Sequence, residues 1–223
     1  MTLRIESPTR EEIALLEPFA GLTLDRVFVP STQAEIDLAE AELGAARFVG
    51  FDTESKPTFA KGEVSDGPHT VQFATLDRAY VFQLHRPECH RAVGALLESL
   101  DVVKVGFGLR SDQDQLPKKL GVRPRAVLDL CAVFRRQGYR KTIGVKTAVA
   151  VVFRQKFQKS KRISTSNWAR HQLMANQLLY AANDAYAAVK VLDALGLRED
   201  ELPISDLALT GGGLPADDAH PDI

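Results

Sequence analysis

The segment from Phe48 to Ser55, FVGFDTES, constrains the fold of this chain more than any other. Its apolar run predicts a buried strand, which continues into two carboxylates, Asp52 and Glu54. Side chains two residues apart on a strand point to the same face, so these acids lie side by side. Neighbouring acids at the end of a core strand repel each other and lose hydration unless a cation compensates. Because hard divalent metal ions prefer oxygen ligands, we expect a metal site here, with further ligands elsewhere in the chain.

The composition predicts a single globular domain without a membrane span. Of the 223 residues, 45% are hydrophobic and 26% are charged, which is ordinary for such a domain. No apolar run is long enough for a bilayer and the N-terminus lacks a signal-peptide core, so we expect a cytoplasmic protein. Cys89 and Cys131 stand alone in their segments, which favours neither a zinc site nor a disulfide framework.

The net charge of -1 conceals an uneven distribution of charge. Residues 130–183 contain no Asp or Glu, yet they carry 11 of the 28 Lys and Arg residues. The rest of the chain has 17 basic residues against all 29 acidic ones. Charge runs are most often solvated surfaces, but an acid-free segment of this length indicates an anionic partner.

The order of strand and helix patterns is typical of an α/β fold, in which helices cover a mixed sheet. Near the N-terminus, Thr9 and Glu12 have the spacing of a capping box. Strands are predicted at 26–29, 48–54, 70–75, 79–84 and 102–107. Helices are predicted at 31–44, 88–100, 128–137, 143–153 and 175–195. In the helix at 31–44, the expected core stripe consists of Ile36, Leu38, Ala39 and Leu43.

Two later segments supply candidate ligands for a metal. Asp112 follows the strand at 102–107 at a helix start, in the crevice where open sheets bind ligands. Taken alone, Asp112 is more simply a first-turn acid that complements the helix dipole. In the last helix, Tyr180 and Asp184 are four residues apart and share a face among alanines. Asp184 is either a buried acid that needs a cation or a solvent-facing one.

Three segments in this order resemble the motifs of a known superfamily. DTE at the end of a strand, VGFGLRSDQDQL and YAANDAYAAVKVL are similar to the three motifs of the DEDD 3′–5′ exonucleases, which have a ribonuclease H-like fold. The spacing from Tyr180 to Asp184 resembles the DEDDy branch, which includes ribonuclease D and the Werner-type exonuclease domain. In the sister branch a histidine stands five residues before the last Asp, where this chain has Leu179. The resemblance covers residues 26–198.

The resemblance implies a ribonuclease H-like mixed β-sheet, antiparallel in its first three strands and then parallel, flanked by helices. It also implies that the chain removes nucleoside monophosphates from the 3′ end of DNA or RNA by a two-metal mechanism. Neither an organic cofactor nor a membrane partner is expected. Residues 1–25 would form an accessory segment, and residues 199–223 a disordered acidic tail.

The same resemblance assigns roles to the candidate residues. Tyr180 would orient the attacking water, and Asp52 would bridge two Mg²⁺ or Mn²⁺ ions. The metal ligands would be Asp52, Glu54, Asp112 and Asp184. The basic segment would follow the strand through its phosphates, with little sequence preference.

Five side chains are candidates for contact with the substrate. Phe59 and Trp168 are aromatic residues that could stack on terminal bases, although Trp168 is more simply a core residue. The candidate cations are Lys56, Lys61 and Lys146.

Two other functions are considered from the same residues. The first is a non-catalytic nucleic-acid-binding module on the same fold, and the presence of all four carboxylates and the tyrosine argues against it. The second is a phosphatase of the Asp-x-Asp type. Against it, Glu54 stands where the second Asp is expected, and no phosphate loop is evident.

Overall fold

A six-stranded mixed sheet organises the chain in the computed structural model, which describes residues 5–58 and 65–205. In chain order the strands are β1 (Glu17–Pro18), β2 (Val27–Phe28), β3 (Phe48–Glu54), β4 (Thr70–Ala74), β5 (Ala79–Gln83), β6 (Val103–Gly106), β7 (Val127–Asp129) and β8 (Gln155–Lys156). The spatial order of the main sheet is β2-β5-β4-β3-β6-β7, and β1 pairs separately with β8. Strands β3, β4 and β5 are antiparallel, whereas β6 and β7 continue the sheet in parallel. The predicted mixed sheet is confirmed.

Helices cover both faces of this sheet. They are α1 (Arg10–Ala14), α2 (Gln33–Gly44), α3 (His90–Glu98), α4 (Arg110–Leu120), α5 (Leu130–Arg136), α6 (Val145–Phe153), α7 (Lys161–Ser164) and α8 (Ala175–Leu195). Short 3-10 turns occur at Leu24–Arg26, Pro87–Cys89 and Glu199–Glu201. Helices α2, α3 and α4 share a core with Phe51 and Phe73 on one face. Helices α5, α6 and α8 pack with Val103 and Val105 on the other.

Most helix predictions are confirmed, and two details are wrong. Leu38 is 65% exposed, because it lies two residues after Ile36 and therefore on the opposite side of α2. The helix predicted from residue 128 begins at Leu130, because β7 occupies residues 127–129. The side chain of Asp129 accepts a hydrogen bond from the backbone N–H of Cys131 and caps the helix there.

Both ends of the described chain bridge to its main body, Ile5 to Tyr139 and Ser205 to Val127. The capping box of Thr9 and Glu12 is confirmed at α1. Residues 199–205, which were expected to begin a disordered tail, include a 3-10 turn and a bridge between Ser205 and Val127. Residues 206–223 lie outside the described part of the chain. None of the helices in the described ranges has both the length and the apolar character needed to cross a bilayer.

Candidate active site

Strand β3 carries two carboxylates beyond the end of its parallel neighbour. It pairs with β6 from Phe48 to Gly50 only, whereas it stays paired with β4 as far as Glu54. Asp52 and Glu54 therefore keep a regular extended backbone while their side chains stand past the last residues of β6.

Gly50 determines which helix faces these carboxylates. A Cβ atom at Gly50 would lie 1.9 Å from the backbone oxygen of Ala185, so the glycine lets α8 approach β3 closely. On a strand, positions 50, 52 and 54 lie on the same face. Asp52 and Glu54 therefore point to the side of the sheet that α8 covers.

Helix α8 brings Tyr180 and Asp184 to this side. They are one helical turn apart, and only 7% and 5% of their surfaces are exposed. Fully buried alanines at 181, 185 and 188 bring the helix close to the sheet. The interpretation of Asp184 as a buried acid is confirmed, and the solvent-facing alternative is wrong.

Three carboxylates meet at this point. One oxygen atom each from Asp52, Glu54 and Asp184 lies within 4.8 Å of the other two. Asp112, in the first turn of α4, is not part of this tight group. The hydroxyl of Thr53 donates a hydrogen bond of 2.5 Å to Oδ1 of Asp112. Because Thr53 lies between Asp52 and Glu54, this bond fixes Asp112 to the strand that carries two of the other acids.

Burial makes these carboxyl groups hard to ionise. Burial, followed by repulsion from Asp52 and Asp184, raises the pKa of Glu54 to about 9. Burial is also the main cause of the raised pKa values of Asp52, Asp112 and Asp184. Carboxyl groups in such surroundings ionise readily only beside a cation.

Several buried oxygen atoms at the site have unused hydrogen-bonding capacity. Within the described residues, the hydroxyl of Tyr180 and Oδ1 of Asp184 have no hydrogen-bond partner, whereas Oδ2 of Asp184 lies at ion-pair distance from a lysine. A buried polar atom without a partner costs about 1–3 kcal/mol, so these atoms indicate a ligand site. Clustered carboxylate oxygens fit a hard divalent ion such as Mg²⁺ or Mn²⁺.

Lys159 belongs to this site, although no sequence pattern distinguishes it. Its Nζ lies 2.7 Å from Oδ2 of Asp184, at ion-pair distance, and 5.3 Å from the centroid of the Tyr180 ring. In the sequence it is one of 11 basic residues in the acid-free segment. It lies in residues 157–160, which form neither helix nor strand and show no periodicity.

The predicted substrate cations are exposed where the structure describes them. Lys56 stands in solvent on the loop that leaves β3. Lys146 is exposed in the first turn of α6, and its charge opposes the rise that burial causes in the pKa of Asp184. Lys146 therefore lies within electrostatic reach of the site. Phe59 and Lys61 lie outside the described residues.

Trp168 is a core residue, and the prediction that it stacks on a base is wrong. Only 1% of its surface is exposed, and its Nε1 donates a 3.2 Å hydrogen bond to the backbone oxygen of Ser164. Its ring centroid lies 5.9 Å from that of Tyr180. The indole therefore supports Tyr180 from inside the core.

The basic side chains of residues 130–183 stand mainly in solvent. Of the basic residues in this segment, Lys159 alone forms an ion pair within the described part of the chain, and its partner is Asp184. Nine of the 11 cations are exposed: Arg135, Arg136, Arg140, Lys141, Lys146, Arg154, Lys161, Arg162 and Arg170. Their charge is thus accessible to a polyanion.

Solved exonuclease structures share this fold. The structure of Trypanosoma brucei RNase D in complex with RNA U12 has a TM-score of 0.68 and 21% identity, over 89% of this chain and 68% of that one. The Aedes aegypti Nibbler EXO domain has a TM-score of 0.66 and 23% identity, over 78% of this chain and 88% of that one. These likenesses concern the fold alone, and they agree with the ribonuclease H-like arrangement expected from the motifs.

Sequence relatives extend the likeness. A 3′-5′ exonuclease of Arabidopsis thaliana is 33% identical over 156 residues, which are 69% of this chain and 54% of that protein. The bifunctional 3′-5′ exonuclease/ATP-dependent helicase WRN of Mus musculus is 28% identical over 169 residues, which are 75% of this chain and 12% of that protein. The chain thus spans little more than half of the first relative and a small part of the second. The model of the 3′-5′ exonuclease family matches residues 27–198, and the chain therefore belongs to that family.

Proposed function

We propose that this chain is a metal-dependent 3′–5′ exonuclease that hydrolyses terminal phosphodiester bonds of nucleic acid and releases nucleoside monophosphates. The observation that carries this proposal is the cluster of Asp52, Glu54 and Asp184 within 4.8 Å, beside the buried Tyr180. Membership of the exonuclease family supports the class of reaction. The all-oxygen donor set supports divalent metal ions as cofactors.

Four carboxylates would hold two ions, Mg²⁺ or Mn²⁺. The resemblance to the DEDD exonucleases implies that Asp52 would be the ligand shared by both ions. Its position is consistent with this role, because Asp184 and Asp112 are both near enough for their charges to add to the effect of burial in raising its pKa. Thr53 would keep Asp112 in place through its hydrogen bond. When bound, the ions supply Lewis-acid activation of a water molecule and neutralise charge at the scissile phosphate.

Tyr180 would orient the attacking water through its hydroxyl group. Burial, and then the charge of Asp184, raises the pKa of Tyr180 above its ordinary value, so the hydroxyl stays protonated at neutral pH. This hydroxyl has no hydrogen-bond partner within the described residues, which leaves it able to donate to water. Trp168 packs against the ring and restricts its orientation.

The substrate would be the 3′ end of a DNA or RNA strand. Exposed cations of residues 130–183 support a polyanionic substrate, and they would contact phosphates and not bases. Among the structural neighbours, the Trypanosoma brucei RNase D structure contains RNA. Product sizing on matched single-stranded DNA, recessed duplex DNA and RNA, each with Mg²⁺ and Mn²⁺, identifies the preferred strand.

Replacement of Asp52 tests the proposed activity. Because Asp52→Ala removes the bridging ligand, we expect the rate of shortening of a 5′-labelled strand to fall by roughly 10²–10³-fold or more. Binding of the strand, measured by fluorescence anisotropy in EDTA, should change little, because the basic surface is untouched. Asp193→Ala is the control, since it removes an exposed carboxylate from α8 that lies outside the cluster.

Each result of this experiment has a definite meaning. Shortening by Asp52→Ala at the wild-type rate would contradict the proposed role of the carboxylate cluster. A wild-type protein that binds the strand but does not shorten it with either metal would instead fit the non-catalytic binding module. Comparable loss in Asp193→Ala would mean that the defect is not specific to the cluster.

A further inference from the structure

Lys159 is the positive charge that directly faces the carboxylate cluster. Its Nζ lies 2.7 Å from Oδ2 of Asp184. Its charge also reaches Asp52 and Glu54, where it opposes the rise in pKa that burial causes. A single ammonium group therefore interacts with all three acids of the cluster.

We propose that Lys159 is a built-in counter-ion that holds the carboxylates together without metal, and that a divalent ion displaces its ammonium group when it binds. This role depends on the metal site proposed above and adds a positioning residue to it. The ammonium group of Lys159 thereby has two positions. It lies against the carboxylates in the metal-free protein and away from them when the ion is bound.

The ammonium group and a divalent ion compete for Asp184. Mg²⁺ binds a carboxylate oxygen at about 2.0–2.1 Å, so an ion on Oδ2 would lie no more than about 5 Å from Nζ. Two cations at such a distance, in a partly desolvated site, repel each other strongly. Lys159 must therefore move away for the ion to gain the full set of oxygen ligands.

The surroundings of Lys159 allow this movement. Residues 157–160, between β8 and α7, form neither helix nor strand. The side chain is 31% exposed, and it lines a cleft of about 620 Å³ together with Gln158, Ser160 and Asn176. Because the lysine stem is long and flexible, Nζ can swing toward this cleft without displacing β3 or α8.

The counter-ion has a structural purpose before metal binds. Carboxylates that ionise within 4.8 Å of one another repel each other, and this repulsion would push α8 away from β3. Lys159 offsets part of this repulsion and also lies 5.3 Å from the ring centroid of Tyr180. Asp184 and Tyr180 are therefore held near their working positions in the metal-free protein.

Replacement of Lys159 should tighten metal binding and weaken the metal-free fold. For Lys159→Met, we expect calorimetry to give a Kd for Mn²⁺ about tenfold or more below the wild-type value. In EDTA its Tm should lie about 5 °C or more below that of the wild type. In saturating Mn²⁺ this deficit should largely disappear, because the ion then supplies the missing charge. Lys161→Met is the control, since it removes an exposed cation nearby.

The outcomes separate this role from the metal site itself. An equal Kd for Mn²⁺ in the wild type and in Lys159→Met would overturn the role of Lys159 alone. So would a Tm deficit of Lys159→Met that is the same in EDTA and in Mn²⁺. If neither protein bound Mn²⁺, both the metal site and the counter-ion would be wrong. A purely structural lysine would lower Tm equally in both buffers.

A second experiment uses the wild-type protein and does not depend on a variant that folds. Reductive methylation followed by mass spectrometry reports how accessible each lysine amine is. We expect Mn²⁺ to increase the labelling rate of Lys159 severalfold over that in EDTA, while Lys161 stays unchanged. An unchanged or slower rate at Lys159 would mean that its ammonium group does not leave the cluster.

Discussion

Helix α8 buries Asp184 against β3, whereas nine of the 11 cations of residues 130–183 stand in solvent a short distance along the same chain. The acids lie on two elements that pack in direct contact, since Gly50 on β3 closely approaches the backbone of Ala185 on α8. The cations are long side chains whose positions depend on little beyond their own attachment point.

This difference separates the chemistry from the binding of substrate. A change in the packed acidic region alters several ligands at once, because one strand and one helix carry most of them. A change on the basic surface removes a single phosphate contact among many. Variants in the two regions should therefore differ both in the size of the effect and in the kinetic constant that changes.

Gly50→Ala should have the largest effect of the variants that test this comparison. The added Cβ would lie 1.9 Å from the backbone oxygen of Ala185, so α8 must move away from β3. We expect the free energy of unfolding, measured with urea, to fall by roughly 3 kcal/mol. Exonuclease activity should also be largely lost, because Asp184 moves with the helix.

Gly44→Ala is the matched control for this substitution. A Cβ at Gly44, in the last turn of α2, would meet no atom within 4 Å. This variant should be neutral or more stable by roughly 0.5–1 kcal/mol, because alanine loses less backbone entropy on folding. Similar losses in both variants would contradict the claim that the contact between β3 and α8 requires glycine.

The pH dependence of stability should report the cost of the packed acids. The pKa of Glu54 is about 9 in the folded protein, against an ordinary value of 4.5. Its contribution to stability is therefore fully present below about pH 4.5 and is lost as the pH rises toward 9. In EDTA we expect the wild-type Tm to fall by roughly 5 °C or more between pH 5 and pH 9. Glu54→Gln, which stays neutral, should show a smaller fall.

Saturating Mn²⁺ should reduce the same fall in the wild type, because the ion binds the ionised carboxylates. Glu98→Gln is the control, since it neutralises an exposed glutamate on α3. If Glu54→Gln followed the wild-type curve in EDTA, groups other than this carboxyl would determine the pH dependence.

The buried acids were predictable because they lie on regular elements. Alternation on a strand places Asp52 beside Glu54, and the period of a helix places Tyr180 over Asp184. The order of the three motifs then relates the strand to the helix, although nothing in a local pattern does so. Strand β7 was missed because three residues are too short to show a period, and Asp129 begins the following helix at once.

Lys159 was not predictable for the opposite reason. It lies in an irregular segment, and its position near Asp184 depends on how residues 157–160 pass α8 in the folded chain. The prediction that Trp168 stacks on a base was wrong for a related reason. Sequence patterns do not distinguish an aromatic ring under the site from one that faces the substrate. Local periodicity thus predicts ligands on strands and helices, while residues from loops require the tertiary structure.

Lys146→Met should have the smallest effect, and it tests the basic surface. Loss of one exposed phosphate contact should raise KM about two- to fivefold, with less effect on kcat. It should also make the slope of log Kd against log salt shallower by about 0.7 for a single strand. Arg123→Met removes an exposed cation just beyond the end of α4, a helix whose last residue is roughly 12 Å from Asp112, and it should change neither quantity. Equal salt slopes for Lys146→Met and the wild type would mean that Lys146 does not contact the strand, and that other members of the exposed basic set bind it.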